Sequence, residues 1–327
     1  MTITRRSLLA GFTATLALPA ITGRAAAGTP LVVASLLGDD KPETLVWNHI
    51  RDLVEAEMPG AFTFNIVPNA ALGGEKEVVE GMRLGSIQAS LSTLSNLTAW
   101  VPECILFDLP FLFRDDAHLA AALRSASAGR LKEQLEWEGL IAPAFIDYGA
   151  RHLLAPRPLL EPGAMNGKRI RVIQSRLHAE LWQRFGALPI ALPITETYNA
   201  LSTGHVDAMD LTISAYAGFR LNEVAPHVTL TGHIRAVGAV IFADSFWQEL
   251  DPQRRDVLQR AAEAGAEHFN ALMRQDERRS MDVTKAAGAH FHTIADRPAW
   301  EAPAREIWTL FAEQAGGLER IEEIAGI

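Results

Sequence analysis

The sequence predicts an α/β fold of two lobes with a ligand cleft between them. Short apolar runs alternate with amphipathic helical patterns along the chain, which is typical of parallel strands joined by crossover helices. About 300 residues follow a predicted leader, which is enough for two medium-sized lobes. A helical pattern from residue 251 to about residue 289 is longer than one lobe needs, so we predict a helix that spans both lobes.

The first 27 residues have the composition of an export signal. Arg5 and Arg6 precede an uncharged stretch from residue 8 to residue 21, and a small-residue segment ends at Ala27, after which we predict cleavage. Paired arginines ahead of a modest apolar run are typical of the twin-arginine route, and an ordinary Sec signal is the alternative. Both interpretations predict a protein that leaves the cytoplasm.

Charge and composition exclude several classes of function. Removing residues 1–27 takes away 3 of the 30 basic residues and no acidic residue, so 27 bases stand against 39 acids, a net charge of −12. Nucleic acid is therefore an unsuitable partner, and an anionic ligand must be held by local positive groups in a cleft.

After the leader no stretch has the ~20 apolar residues of a membrane span, so we predict no membrane insertion of the mature chain. The single cysteine, Cys104, is predicted to be buried and inert.

The N-terminal half begins as strand, turn and helix. A buried strand over residues 31–35 is bounded by Pro30 and by a turn over residues 38–40. Periodicity then predicts a helix over residues 42–58, a strand over residues 62–67 and a helix over residues 75–84.

The second half continues the alternation. The predicted strands are residues 168–172 and 189–192, and the predicted helices are residues 177–185, 195–202 and 299–314. Thr195 is expected to cap the second of these helices, and Gly204 to end it. In the last helix the apolar residues expected to face inward are Trp300, Ile307, Leu310 and Phe311.

The sequence carries no motif of a common enzyme class. It has no nucleophile elbow, phosphate-binding glycine loop or His-Glu-x-x-His. Ser92 and Ser95 are possible nucleophiles of an exported hydrolase, but no histidine has an evident claim to pair with them. His290 and His292 share one face of a short strand, yet no acid or cysteine completes a metal site at strand or helical spacing. We predict a protein without enzymatic activity, cofactor or metal.

Two arginines are the strongest candidates for ligand binding. Arg171 lies within an alternating apolar strand, and Arg151 follows a predicted turn over residues 148–150. A buried guanidinium needs an anion, because burial without one is costly. For Arg171 the anion is either an internal carboxylate, from Glu196 or Asp210, or the carboxylate of a ligand held through two parallel hydrogen bonds. Strand position alone gives these two interpretations equal weight.

Nine short segments resemble, in family order, the solute-binding subunits of TRAP transporters, the tripartite ATP-independent periplasmic uptake systems. Each segment alone is a weak signal, but together they span nearly the whole chain after residue 27. The segments are Leu72-Gly73-Gly74-Glu75, Leu109-Pro110-Phe111-Leu112-Phe113, Gly139-Leu140, Tyr148-Gly149-Ala150-Arg151, Asn166-Gly167-Lys168-Arg169-Ile170-Arg171-Val172, Gly186-Ala187-Leu188-Pro189, Glu196-Thr197-Tyr198-Asn199-Ala200-Leu201, Gly204-His205-Val206-Asp207 and Thr231-Gly232-His233.

The resemblance implies a two-lobed periplasmic binding fold that closes by a hinge motion, with the long helix shared by both lobes. The implied lobes are residues 28–148 with about 237–276, and residues 149–236 with about 277–327. It also implies a periplasmic protein that captures a small organic acid and delivers it to a pair of membrane permease subunits, with uptake driven by an ion gradient. A sensor partner that presents its loaded form to a membrane receptor is compatible with the same sequence.

Arg171 matches the family's carboxylate-binding arginine, and Arg151 matches a second arginine of the cleft. No cation is predicted to assist them. The full set of predicted ligand-binding residues is Arg171, Arg151, Asp210, Leu211, Thr212, Thr93, Glu75, Asp40 and Glu196.

Three departures from the family pattern concern the ligand. Leu211 stands where members often have a ligand-contacting asparagine, so an amide is replaced by an apolar wall. Thr93 matches an acid of sialic-acid-type members, and Ile194 replaces a common aromatic residue. We therefore expect a small or apolar monocarboxylate, such as a keto, hydroxy or branched-chain acid, although a second carboxylate could reach Arg151.

Overall fold

A computed structural model describes residues 28–327, so the predicted export signal and its cleavage after Ala27 lie outside the described residues. The strands are β1 (Thr29–Ala34), β2 (Phe62–Val67), β3 (Ala89–Thr93), β4 (Leu140–Ala155), β5 (Arg169–Val172), β6 (Leu188–Ala191), β7 (Ala208–Thr212), β8 (His227–Ala243) and β9 (His290–Thr293). The α-helices are α1 (Pro42–Glu57), α2 (Glu75–Arg83), α3 (Leu94–Leu97), α4 (Asp116–Ala122), α5 (Ala126–Trp137), α6 (Arg176–Arg184), α7 (Thr197–Ser202), α8 (Ile213–Gly218), α9 (Asp244–Glu249), α10 (Pro252–Ala286), α11 (Arg297–Leu310) and α12 (Leu318–Gly326).

The strands form one mixed sheet in the order β2-β1-β3-β8-β4-β7-β5-β6, with β9 also paired to β8. Each outer half is largely parallel, as predicted: β1 pairs with β2 and β3, and β5 pairs with β6 and β7. The expectation of parallel sheets alone is wrong at the centre. There β4 and β8 run antiparallel to each other, and they join the halves through antiparallel pairs with β7 and β3.

The predicted turn over residues 148–150 is instead an irregularity within the 16-residue strand β4. The β4–β8 register shifts between Asp147 and Ala150, where Gly149 has a positive φ of 90°. Glycine adopts this conformation without the steric cost that a Cβ imposes. The predicted boundary between the lobes, at residues 148 and 149, falls on this irregularity and remains a prediction.

Most predicted elements are present, and two details are wrong. Thr195 does not cap a helix, because it lies within the 3₁₀ turn Ile194–Glu196 and α7 begins at Thr197 after Glu196. Leu310 is 43% exposed. At 100° per residue it lies about 80° around α11 from the face that Trp300, Ile307 and Phe311 bury.

The predicted long helix is α10, which has 35 residues. It packs against α1, β4 and α8, so it contacts both halves of the fold. Gly265 allows the close approach to α1, because a Cβ there would lie 2.5 Å from Cγ1 of Ile50. Cys104 is buried in the main core, as predicted. Within residues 28–327, no helix combines the length and the apolar character that crossing a bilayer requires.

Candidate functional site

A cavity of about 60 Å³ opens where the carboxyl ends of β1, β3, β5 and β7 converge. Open α/β sheets bind ligands at this position. The volume accommodates about four to six water-sized groups. Both halves of the sheet contribute to its wall, which is lined by Leu36, Leu37, Glu43, Glu75, Thr93, Tyr148, Arg151, Arg171, Ile173, Ile194, Leu211, Thr212, Ala215, Phe219 and Ala236.

Arg171 projects from β5 into this cavity and is only 2% exposed. Its Nε donates to the carbonyl of Leu192 at 2.9 Å. Among residues 28–327 it has no ion-pair partner, and its two terminal nitrogens donate to no side chain or carbonyl. Burial and the neighbouring Arg151 lower the pKa of Arg171 to about 10. The guanidinium therefore remains charged at neutral pH, with two nitrogens available to an anion.

The alternative in which Arg171 forms an internal ion pair is wrong. Asp210 is taken by Arg151, whose Nε lies 3.0 Å from Oδ2 and whose Nη2 lies 3.1 Å from Oδ1. The other proposed partner, Glu196, is exposed and outside the cavity. Arg151 thus forms an internal ion pair with Asp210 through two nitrogen–oxygen contacts to the carboxylate. It also lines the cavity.

Asp210 is fully buried, and it does not line the cavity. Burial alone would raise its pKa, but Arg151 together with His178 and His233 holds the pKa of Asp210 well below its usual range. His233 Nε2 lies 2.8 Å from its Oδ2. Because these partners are themselves buried, Asp210 serves as an internal counterion of Arg151.

Two further groups of buried polar side chains lie next to Asp210, and on one side His178 Nδ1 lies 3.8 Å from Asp210 Oδ2, too far for a hydrogen bond. His178 Nε2 lies 2.9 Å from Asp108, and Asp108 accepts a hydrogen bond from Ser95 at 2.7 Å. On the other side, His233 Nδ1 lies 2.7 Å from the hydroxyl of Thr231. The hydrogen bond from His233 therefore helps to fix Asp210 and, through it, the guanidinium of Arg151.

Glu75 and Thr93 form a second polar part of the wall. Glu75 begins α2, and its carboxylate accepts from the backbone N–H of Thr93 at 2.6 Å and from the Thr93 hydroxyl at 3.1 Å. Burial raises the pKa of Glu75, while these two hydrogen bonds and the charges of Arg151 and Arg171 oppose that rise. Glu75 is thus held in the wall by Thr93, near both arginines.

Glu43 and Tyr148 are cavity residues that the sequence interpretation did not select. Glu43 lies in the first turn of α1 and is 6% exposed. Burial raises its pKa to about 7. Tyr148 packs its ring over Gly238, where a Cβ would lie 2.3 Å from the ring. A first-turn glutamate usually faces solvent, so periodicity gives no signal for Glu43 beyond its place after the end of β1.

The structure brings six of the nine predicted ligand-binding residues to the cavity and leaves three outside. The six are Arg171, Arg151, Leu211, Thr212, Thr93 and Glu75. Asp210 is fully buried and does not line the cavity, and Glu196 is exposed to solvent. Asp40 is also exposed and borders a separate surface hollow with Asp276.

The two histidines of strand β9 are not among the residues that line the cavity. His290 and His292 belong to β9 and stack on His227 of β8, with ring centroids 5.0 and 5.3 Å from that of His227. His227 Nδ1 lies 3.0 Å from His292 Nε2, a hydrogen-bond distance. In the part of the chain that the structure describes, no group of three or more His, Cys, Asp or Glu side chains is arranged to hold a metal ion.

A small charged cavity between two lobes that share a long helix defines a solute-binding protein. The chain belongs to the bacterial extracellular solute-binding protein family 7, whose family model matches residues 33–314. This is the solute-binding family of TRAP transporters, and the resemblance in the nine segments is confirmed.

Two relatives and one solved structure illustrate the similarity. The C4-dicarboxylate-binding periplasmic protein DctP of Rhodobacter capsulatus is 29% identical over 325 residues, 96% of each chain. The 2,3-diketo-L-gulonate-binding periplasmic protein YiaO of Escherichia coli is 28% identical over 280 residues, 84% of this chain and 85% of that protein. A TRAP periplasmic solute-binding protein from Polaromonas sp. JS666 bound to D-erythronate matches with a TM-score of 0.88 and 26% identity, over 91% of this chain and 99% of that one.

Proposed function

We propose that this protein binds a small organic acid in the periplasm by its carboxylate, with Arg171 as the principal anchor, and delivers it to the membrane subunits of a TRAP transporter. The observation that carries the proposal is the buried guanidinium of Arg171, which lines the cavity without an internal carboxylate among the described residues. Such a group gains most from an anion that presents two oxygens.

The cavity supports a small ligand. About 60 Å³ suits an acid of a few carbon atoms better than a hexuronate, and the wall around Leu211 and Ile194 is apolar. The acids named for the similar proteins, a C4-dicarboxylate, 2,3-diketo-L-gulonate and D-erythronate, all carry a carboxylate. This agrees with the class of ligand inferred from the site.

Arg171→Ala tests the anchor. We expect it to weaken binding of an acid found by thermal-shift screening by about 2–5 kcal/mol, because it removes one partner of a buried charge pair. Titration calorimetry measures the loss. Arg169→Ala is the matched control on the same strand, since Arg169 pairs with Asp207 and does not line the cavity. Full-affinity binding by a folded Arg171→Ala protein would contradict the proposal.

A hydrolase function has little support from the geometry. The hydroxyl of Ser95 donates to Asp108, so a carboxylate stands between the serine and His178 and no imidazole reaches the hydroxyl. Ser92 accepts from the amide of Asn96, and neither serine lines the cavity. We therefore propose binding without turnover, which product analysis after incubation with the bound acid tests.

A further inference from the structure

We propose that Asp276 is a positioning residue for ligand binding. Its carboxylate joins the β1–β3 half and the β5–β7 half of the fold when the cleft is closed, and it thereby slows release of the bound acid. This inference rests on the proposed function, because it concerns how the acid that Arg171 anchors is retained.

The first support is the place of Asp276 in the fold. It lies on α10, the helix that packs against both α1 and α8, and it is 9% exposed. It does not line the ligand cavity. A carboxylate that is this buried is costly unless hydrogen-bond donors surround it. Among the described residues three side chains supply them, those of Lys41, Ser214 and Ser280.

The second support is the origin of the two donors that lie outside α10. Lys41 stands between β1 and α1, and its Nζ lies 3.0 Å from Oδ2 of Asp276. Ser214 lies on α8, directly after β7, and its hydroxyl donates to the same Oδ2 at 2.6 Å. One carboxylate oxygen therefore connects the β1–β3 half to the β5–β7 half.

The third donor holds the carboxylate in place. Ser280 lies one turn further along α10, and its hydroxyl donates to Oδ2 of Asp276 at 2.9 Å. Lys41 Nζ also donates to this hydroxyl, at 3.0 Å. Because Asp276 and Ser280 share one helix, the bond between them persists whatever the position of the two halves. The carboxylate thus stays oriented toward the donors that each half brings.

The contact lies beside the ligand cavity. Ala215, next to Ser214 on α8, lines the cavity. The halves also touch directly here, because a Cβ on Gly218 of α8 would lie 2.9 Å from Cδ2 of Leu37, a cavity residue that follows β1. Separation of the halves at this edge would open the cavity and take Lys41 or Ser214 away from the carboxylate.

A contact that exists only in the closed form adds to ligand affinity. The measured affinity of a binding protein falls with the fraction of molecules in the binding-competent form, so loss of the contact lowers both. The contact forms after the acid has entered the open cleft. Its loss should therefore speed dissociation and leave association unchanged, as is usual when affinities of related complexes differ.

Ser214→Ala is the main test. It should weaken binding of a probe acid about tenfold and speed dissociation by the same factor, because it removes one hydrogen bond to a charged group. The probe is the acid that the wild type binds most tightly among lactate, 2-oxobutanoate, 3-methylbutanoate and succinate. Titration calorimetry measures affinity, and stopped-flow tryptophan fluorescence measures the two rates.

Asp276→Ala tests the shared acceptor. It should weaken binding at least as much as Ser214→Ala, because it also removes the ion pair with Lys41. The protein with both substitutions should bind like Asp276→Ala alone, since the hydroxyl of Ser214 then has no carboxylate to lose. Urea unfolding checks that each variant is folded.

Thr284→Val is the matched control. Thr284 is 2% exposed on the same helix, and its hydroxyl donates to the backbone carbonyls of Ser280 and Met281. The substitution removes a buried hydroxyl of α10 that takes no part in joining the halves. Affinity and both rates should therefore equal those of the wild type.

Three outcomes overturn the inference. One is a folded Ser214→Ala protein with wild-type affinity and dissociation rate, even if its free energy of unfolding falls, because the contact would then be structural only. Another is a loss of affinity in Ser214→Ala that lies in the association rate alone. The third is an equal loss in Thr284→Val.

The proposed function is tested separately by Arg171→Ala with the same probe. If Arg171→Ala abolishes binding while one of these three outcomes is found, the inference about Asp276 fails and the proposed function stands. If no probe binds the wild type, or Arg171→Ala binds fully, both fail.

Discussion

Arg151 and Arg171 lie in the same cavity wall, yet their surroundings differ. Arg151 makes two hydrogen bonds to the Asp210 carboxylate and one to its backbone carbonyl, and buried His233 also hydrogen-bonds that carboxylate. Arg171 has one carbonyl contact, and among the described residues no carboxylate lies within ion-pair distance of it. Burial is similar, at 3% and 2% exposure, so the difference lies in the counterion.

This difference leads us to expect different roles for the two arginines. A buried pair such as Arg151–Asp210 contributes order to the wall, but both of its charges are already satisfied. Arg171 has no carboxylate within ion-pair distance among the described residues, which is why we propose it as the anchor for the ligand's carboxylate. Both arginines line the cavity, and we expect Arg171 to contribute more to ligand binding than Arg151.

The strongest way to break the comparison is a stability measurement on Arg151→Met. We expect it to lower the free energy of unfolding by about 3–5 kcal/mol, because Asp210 is left buried without its main partner. Arg171→Met should leave stability unchanged or raise it, because it removes a buried charge without a counterion. Urea unfolding of both variants measures this, and equal losses would mean that the two arginines do not differ.

Glu43 extends the comparison to an acid without a counterion. Because its folded pKa is raised from 4.5 to about 7, the folded state holds the proton more tightly than the unfolded state. This stabilisation is present below pH 4.5 and is lost as the pH rises to about 7, a total of about 3 kcal/mol. The difference in unfolding free energy between wild type and Glu43→Gln should follow this pH dependence. A constant difference across the window would show that Glu43 is ionised throughout.

The smallest expected effect on binding comes from changing the shape of the Arg171 side chain while keeping its charge. Arg171→Lys keeps the positive charge but cannot form two parallel hydrogen bonds, so binding of the acid should weaken by about 1–2 kcal/mol. This loss should be smaller than that of Arg171→Ala in the same calorimetric titration. Equal affinity of the lysine variant and the wild type would mean that charge alone holds the ligand.

Local patterns predicted the outer parts of the fold well. The alternation over residues 62–67 matches β2, and the helix that starts at Pro42 and the glycine stop at Gly204 are both observed. These features depend on residues within one turn or one strand. The antiparallel centre was missed because the pairing of β4 with β8 joins segments about 90 residues apart, which no local period reveals.

The site was predictable only where a motif marked it. Arg171, Arg151 and Glu75 lie in segments that resemble the family, and the structure places all three in the cavity. The partner of Asp210 could not be read from the sequence, because Arg151 lies 59 positions away. Glu43 lies in no recognised motif. Its raised pKa comes mainly from burial, and the neighbouring Lys41 is paired with Asp276.

The place of β8 in the sheet also constrains when the chain can fold during synthesis. β8 stands between β3 and β4, yet it comes after β7 in the chain. A nascent chain that ends before His227 holds two half-sheets, β2-β1-β3 and β4-β7-β5-β6, with nothing to pair them. The two half-sheets thus cannot join until β8, which ends at Ala243, has been made, and until then the facing edges of β3 and β4 need protection from other strands.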